Sequence, residues 1–179
     1  MIVVGIDPGI NATGLALVVL CQGATPDCSL PVIPHSLVDT VEAPKRKRGW
    51  SKADWDTERL RYLHARVCGF LHNVPAANAL VVEAPHVGKA GRNTALMMGL
   101  AAGVCFAGGD RYSVGKAYLV ESTWVRHALG VKGIGKKARW ARMDEVLKSI
   151  GITVPDLDES SEHEKDALTL CAAWLVEQE

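Results

Sequence analysis

The chain begins with an apolar run that ends on an acid, and this feature constrains the fold more than any other. Residues Ile2–Ile6 are almost all apolar, Asp7 follows directly, and the segment DPGINATG comes next. A short apolar run is typical of a buried strand, and the Gly-containing segment after it is typical of a turn. Because an ionised group is costly to bury without a partner, Asp7 is expected at the strand end, in a site or in a turn-stabilising role.

The rest of the sequence continues as an α/β domain. Apolar or alternating patterns predict further strands at 15–20, 36–42, 79–83 and 117–120, and helical stripes predict helices at 53–72, 93–106, 121–129, 137–150 and 163–176. The first two strands are expected to form an antiparallel hairpin that leads into parallel strands. The 179 residues fit a single domain whose core needs no disulfide or metal.

Composition excludes several classes of protein. A charged fraction of 22% with ample aliphatic residues is atypical of a largely disordered chain. No apolar run reaches the roughly 18 residues of a membrane span, and the N-terminus lacks the basic region of a signal peptide. The five Cys are scattered without a C-x-x-C pair, which favours free thiols and argues against a zinc site. We therefore predict a soluble, cytoplasmic protein with no membrane partner.

Charges are segregated along the sequence although the net charge is zero. Residues 111–148 carry nine Lys/Arg and three acids, whereas residues 149–179 carry one Lys and eight acids. A second basic run, Lys45–Arg48, lies in a loop flanked by Pro and Gly. A protein that neutralises phosphates and also binds metal ions needs both kinds of region. The equally open alternative is that these charged residues lie on solvated helix faces.

Three acids fall where this fold would bring them together. Asp7 ends the first strand, Glu83 ends the fourth, and Asp166 is expected in the first turn of the last helix. Adjacent strands lie about 4.8 Å apart, so carboxylates at their ends converge, and a helix packed across those ends adds a third. His163 precedes Asp166 by three residues and shares its side of the helix. Clustered oxygen ligands suit Mg²⁺ or Mn²⁺, while capping or turn roles are the alternative for each acid alone.

Four segments resemble the RuvC-type Holliday-junction resolvases in order and spacing over essentially the whole chain. They are GIDPGINATG followed by LALV, LVVEAPHVGKAGRNTALMMGLAAGV, GIGKKARWARM and HEKDALTLCAAW. The first and last segments together are specific for this family, whereas either segment alone is a weak indication of it. The resemblance implies a ribonuclease-H-like fold with a mixed five-stranded sheet flanked by helices, forming a single nuclease domain over 1–179.

The resemblance also implies catalytic and metal-binding residues. Asp7, Glu83, His163 and Asp166 fall on the family's four metal-site positions, the third of which is Asp or His in the family. Two Mg²⁺ or Mn²⁺ ions per active site are expected. The basic residue beyond the GIG loop is usually Lys in the family, but Arg139 stands here, and Arg cannot release a proton. Which of Lys136, Lys137 and Arg139 acts at the phosphate therefore stays open.

DNA contacts and a partner helix follow from the same resemblance. His86 stands where an aromatic often wedges into the junction, and the 93–106 helix corresponds to the homodimer helix. The predicted DNA-binding residues are Lys132, Lys136, Lys137, Arg139, Arg142, His86, Lys89 and Arg92. Of the tryptophans, Trp140 and Trp174 fit apolar stripes and are predicted core residues, whereas Trp50 and Trp55 could stack on bases or cover a sheet edge.

The resemblance therefore predicts a metal-dependent endonuclease acting on branched DNA. It would resolve four-way junctions by paired symmetric nicks that leave 5′-phosphate and 3′-hydroxyl ends, and branch-migration machinery is a candidate partner. A broader nuclease for flaps and forks is one alternative, and a catalytically inactive junction-binding protein is another. An actin-like ATP-using kinase would need a second domain, for which 179 residues leave no room.

Overall fold

The computed structural model describes residues 1–20, 35–74, 76–85, 92–111, 115–132 and 135–178. The strands of this part of the chain are β1 (Ile2–Asp7), β2 (Ala12–Val19), β3 (His35–Glu42), β4 (Ala79–Glu83) and β5 (Lys116–Val120). The helices are α1 (Lys52–His72), α2 (Arg92–Arg111), α3 (Ser122–Ala128), α4 (Lys136–Ser149) and α5 (Glu162–Val176). Every predicted element is present, with ends that differ by a few residues.

The strands form one mixed sheet in the order β3-β2-β1-β4-β5. β1 pairs antiparallel with β2 and β2 antiparallel with β3, while β1–β4 and β4–β5 are parallel. The predicted hairpin that leads into parallel strands is thus confirmed, as is the α/β class with a mixed five-stranded sheet flanked by helices. Asp7 lies opposite Gly14, and Gly14 lies opposite Thr40, so these three residues form one row across the sheet.

Helices cover both faces of the sheet and divide the core in two. On one face, strand residues such as Val3, Ala16 and Val81 pack with residues of α3, α4 and α5. On the other face, residues such as Val4 and Ile6 pack with α1 and α2. This division follows from the alternation of side chains along each strand, since successive residues point to opposite faces.

Two helices differ from their predicted form. α5 begins at Glu162, so Asp166 lies in its second turn and not in the first as expected. The reason is the Ser161 cap, which starts the helix one residue earlier than the apolar pattern indicated. α2 is longer than predicted, and one side of it is exposed: Leu96 is 60% and Leu100 43% accessible to solvent.

Two further predictions concern the state of the cysteines and the presence of membrane-spanning helices. Cys68, Cys105 and Cys171 are free and buried, whereas Cys21 and Cys28 lie outside the described residues. In the described part of the chain, no helix has the length and apolar character needed to cross a membrane.

Candidate active site

Strand alternation brings Asp7 and Glu83 to the same edge and face of the sheet. Asp7 is the last residue of β1 and Glu83 the last of the parallel neighbour β4. Val81, two residues before Glu83, packs on the α5 face, so Glu83 points to that face. Val3 packs on this face as well, and Asp7 lies four residues further along β1, so Asp7 also points to the α5 face. The predicted convergence of the two strand-end acids is therefore realised in the fold.

The N-terminus of α5 is fixed over these acids by three features. The Ser161 hydroxyl accepts from the Glu164 N–H and the Glu164 carboxylate accepts from the Ser161 N–H, which is a capping box. The Ser161 and Thr40 hydroxyls are 2.7 Å apart, which ties the cap to β3. A Cβ atom on Gly14 would overlap the carbonyl oxygen of His163, so only glycine permits this close approach of helix and strand. The helix thereby carries His163 and Asp166 to the strand ends.

His163 and Glu83 both contact the carboxylate of Asp7. The His163 Nδ1 lies 2.7 Å from the Asp7 Oδ2. A hydrogen bond also joins the Glu83 and Asp7 side chains. Asp7 is thus the central member of the cluster, as its position in the middle strand of the sheet requires.

Asp166 is held by α4 through both of its oxygens. The Lys136 Nζ donates to Oδ2 at 2.8 Å, and the Trp140 indole Nε1 donates to Oδ1 at 2.8 Å. Asp166 is buried, and these bonds fix its orientation. Trp140 was predicted to be a core residue; it does pack against the core, but its indole nitrogen also serves the site. An apolar stripe cannot reveal that function, because it does not show where the donor edge of the ring points.

The cluster carries an excess of negative charge. Burial, together with repulsion from Asp7 and Asp166, raises the pKa of Glu83 to about 7. The hydrogen bond to Asp7 raises the pKa of His163 above its usual value. Partial burial alone would lower the pKa of Lys136, but hydrogen bonds to Asp166 and Glu162 outweigh it and the net shift is upward. Each shift favours the more protonated form, which is the response of a site with surplus carboxylates.

The three candidate cations beyond the GIG loop have different surroundings. Lys136 is 44% exposed and contacts Asp166 directly. Arg139, a predicted DNA-binding residue, is buried. It donates to the Ser122 hydroxyl at 3.2 Å, and its charge opposes the rise in the Glu83 pKa. It precedes Met143 by four residues and so shares the buried face of the helix. Lys137 is exposed.

The other predicted DNA-binding residues are spread over the surface or are not described. Lys132 is exposed beside a basic depression of about 430 Å³ next to α3. Arg142 is exposed and bonds Glu145 and the Leu129 carbonyl. His86 and Lys89 lie outside the described residues, as does the side chain of Arg92. Direct DNA contact by any of them stays a prediction.

The donor set suits a hard divalent cation. Asp7, Glu83 and Asp166 supply carboxylate oxygens, which Mg²⁺ and Mn²⁺ prefer, and the surplus negative charge favours a bound cation. Within the described residues, no three of the candidate ligands converge on one coordination point. The side chains satisfy one another: His163 contacts Asp7, and Lys136 and Trp140 contact Asp166. Cation binding would therefore require small side-chain movements.

Replacing Trp140 with Phe is expected to weaken metal binding by about 10- to 100-fold, the usual effect of losing a hydrogen bond that orients a ligand. The ring and its packing remain, but Asp166 loses the donor on Oδ1. A Mg²⁺ titration followed through the melting temperature of the protein measures the effect as a rise in the midpoint concentration. Trp124→Phe is the matched control, since Trp124 packs against the same core. Equal midpoints for the two variants would contradict the positioning role of Trp140.

The metal-free protein is expected to lose stability as pH rises from about 4.5 to above 7. Between these values the unfolded chain has released the Glu83 proton while the folded chain retains it, so the free energy of unfolding falls. The raised pKa of His163 acts in the same direction, because its stabilising contact is lost as pH rises through the folded-state value. Thermal melts in EDTA at pH 5.5 and pH 8 measure the trend. A Glu83→Gln variant with an undiminished trend would contradict this assignment.

A comparison with solved structures shows which known fold this chain shares. The solved structure of Thermus thermophilus RuvC matches with a TM-score of 0.70 and 24% sequence identity, covering 99% of this chain and 95% of that one. The structure of T. thermophilus RuvC in complex with Holliday junction substrate matches with a TM-score of 0.68 and 23% identity over the same shares. No protein-family model and no curated protein matched the sequence. The chain therefore has the fold of RuvC, and the resemblance seen in its motifs extends to its architecture.

Proposed function

We propose that this chain is a metal-dependent endonuclease that resolves four-way DNA junctions by paired symmetric nicks. The single observation that carries the proposal is the cluster of Asp7, Glu83, His163 and Asp166 at the carboxyl edge of a RuvC-type sheet. The solved RuvC that matches along almost the whole chain is a complex with Holliday junction substrate, which supports branched DNA as the partner here. The products would carry 5′-phosphate and 3′-hydroxyl ends.

The acids would hold two divalent cations, Mg²⁺ or Mn²⁺. Asp7 would contribute to both ions, Glu83 to one of them and Asp166 to the other. Such ions, when bound, activate a water molecule and stabilise the leaving 3′-oxygen. His163 is 39% exposed and hydrogen-bonded to Asp7, so it can orient a water at the exposed side of the cluster. Trp140 holds Asp166 in place throughout.

Among the three candidates, Lys136 is best placed to meet the scissile phosphate. It is half exposed, and its ammonium already lies 2.8 Å from the Asp166 carboxylate. Arg139 is buried, and we assign it the role of balancing the charge of Glu83 from inside the protein. Lys137 and Lys132, both exposed, would contact phosphates further from the cut.

The exposed side of α2 would join two copies of the chain. Leu96 and Leu100 are exposed on this helix, and other residues of the same helix line an apolar groove of about 440 Å³. Gly99, Gly103, Phe106, Ala107 and Leu119 are among the residues that line it. An exposed apolar patch of this kind marks an interaction site. A twofold dimer through α2 would place two active sites on one junction and so explain paired nicks.

The Leu96→Glu/Leu100→Glu variant is expected to be a monomer that does not make paired nicks. Two buried charges at a dimer interface would oppose association strongly. Light scattering gives the particle mass, and a strand-by-strand cleavage assay shows whether nicks remain paired. Leu37→Glu is the control, because Leu37 is a comparably exposed leucine on β3. A dimeric double variant would contradict the role of α2.

A substrate panel tests the proposed specificity. The protein is incubated with a four-way junction, a flap, a fork and a linear duplex of the same sequence, each end-labelled, in Mn²⁺. Cleavage confined to the four-way junction is the expected result. Cleavage of flaps and forks as well would favour the broader branched-DNA nuclease, and tight junction binding without cleavage would favour an inactive binding protein.

A further inference from the structure

A basic loop with no role in the cluster of acids connects β3 to α1. We call residues 43–51 the basic loop; it carries Lys45, Arg46, Lys47 and Arg48, all exposed. Within the described residues, none of these four cations forms an ion pair with an acid. Four uncompensated positive charges on a short segment attract a polyanion.

The basic loop leaves the sheet at the same edge as the catalytic acids. Thr40 of β3 lies in the row of Asp7, and the loop begins three residues later. The Ala43 N–H donates to the Asn11 carbonyl at 2.8 Å, which joins the loop to the turn that follows Asp7. β3 is two strands away from β1, so the loop lies about 10 Å to one side of the acids.

The loop is held in shape by its own aromatic and basic residues. Arg46 donates from Nε and one terminal nitrogen to the Trp50 carbonyl, at 3.1 and 2.5 Å. The Lys47 ammonium lies 5.2 Å from the centre of the Trp50 ring. The Trp55 indole donates to the Pro44 carbonyl at 3.3 Å. Arg46 and Lys47 thus shape the loop, which leaves Lys45 and Arg48 as the cations displayed to solvent, and an ordered loop loses less conformational freedom on binding.

A buried arginine connects the loop to the active-site turn. Arg59 of α1 is 7% exposed and stacks on Trp55 at 4.0 Å. It donates to the Asn11 and Asp56 side chains, each at 2.6 Å. Because Asn11 lies in the turn after Asp7, one side chain fixes the base of the loop relative to the cluster of acids. A ligand on the loop is therefore held at a set distance from the cut.

We propose that Lys45 and Arg48 bind backbone phosphates of a duplex arm of the DNA, about three nucleotides from the scissile phosphate. The distance follows from the lateral offset of about 10 Å and a spacing of about 3.4 Å per nucleotide along one strand. The inference rests on the proposed function, since it needs DNA at the acids. The contact is independent of sequence and would add affinity and orientation.

The test measures junction binding by the Lys45→Gln/Arg48→Gln variant in EDTA over a range of salt concentrations. We expect binding to weaken by about tenfold at 100 mM salt, with the slope of log affinity against log salt reduced by about 2 per protomer, since each phosphate contact contributes about 0.9. The matched control is Lys116→Gln/Lys148→Gln. Lys116 starts β5 at the opposite edge of the sheet, and Lys148 lies in the last turn of α4. The control should bind within twofold of the wild type.

Two outcomes would overturn the inference. If the loop variant binds with the affinity and salt slope of the control while the wild type binds junctions, the loop does not contact DNA and the proposed function stands. If the wild type itself fails to bind junctions, the proposed function fails and the inference falls with it. Both variants change exposed side chains, and matching melting temperatures verify that they fold.

Discussion

The Asp7→Asn variant is expected to lose junction cleavage by at least about 10³-fold while it still binds the junction. Asp7 contacts both His163 and Glu83, so it joins two other members of the cluster. An amide keeps the size of the side chain but cannot offer a charged oxygen to a cation. The loss of a stabilising contribution of about 4 kcal/mol to the transition state corresponds to that factor.

The measurement compares single-turnover cleavage with binding in EDTA for the same preparation. Asp39→Asn is the control, because Asp39 also lies on the sheet but is paired with Arg66 of α1 on the other face. It should cleave at nearly the wild-type rate. Near-normal cleavage by Asp7→Asn would show that the metal site has been assigned to the wrong residues.

The Gly14→Ala variant is expected to lower the free energy of unfolding by about 3 kcal/mol, the upper part of the range for overpacking. A methyl group at this position would overlap the carbonyl oxygen of His163, which is backbone and cannot rotate away. The helix must shift, and it carries His163 and Asp166 with it. For a chain of this size the melting temperature should fall by about 9 °C, and cleavage should decrease beyond what the loss of folded protein explains.

Gly69→Ala provides the comparison for this prediction. Gly69 lies in α1, and a methyl group there would meet nothing within 4 Å. Since Ala favours helix over Gly by about 1 kcal/mol, that variant should be as stable as the wild type or slightly more stable. Thermal or urea unfolding of both variants decides the matter. Equal stability of Gly14→Ala and Gly69→Ala would contradict the close packing of α5 on β2.

The sequence predicted the sheet and its strand-end acids because both depend on local patterns. An apolar run that ends on an acid places Asp7 and Glu83 at strand ends, and the alternation of side chains fixes their face. Parallel pairing of β1 and β4 then brings them together without further information. The helix positions follow from apolar stripes in the same way.

The supporting contacts could not be predicted, because they join distant parts of the chain. The Thr40–Ser161 contact spans 121 residues, and neither hydroxyl belongs to a recognisable pattern. Arg139 was predicted to contact DNA, yet it lies on the buried face of α4, four residues before Met143. The apolar stripe of α4 predicts that Trp140 is a core residue. Only the packing of α4 on α5 shows that its indole N–H donates to Asp166.

Mapping the nicks on an immobile four-way junction is the decisive test of the proposed endonuclease activity. Each of the four strands is labelled in turn, and the reaction is run with Mg²⁺, Mn²⁺ or EDTA. We expect nicks at symmetric positions on two opposed strands with either metal, ends that DNA ligase reseals, and no nicks in EDTA. An intact junction in both metals, under conditions where the protein binds it, would refute the proposed activity, as would unpaired cuts on all four strands.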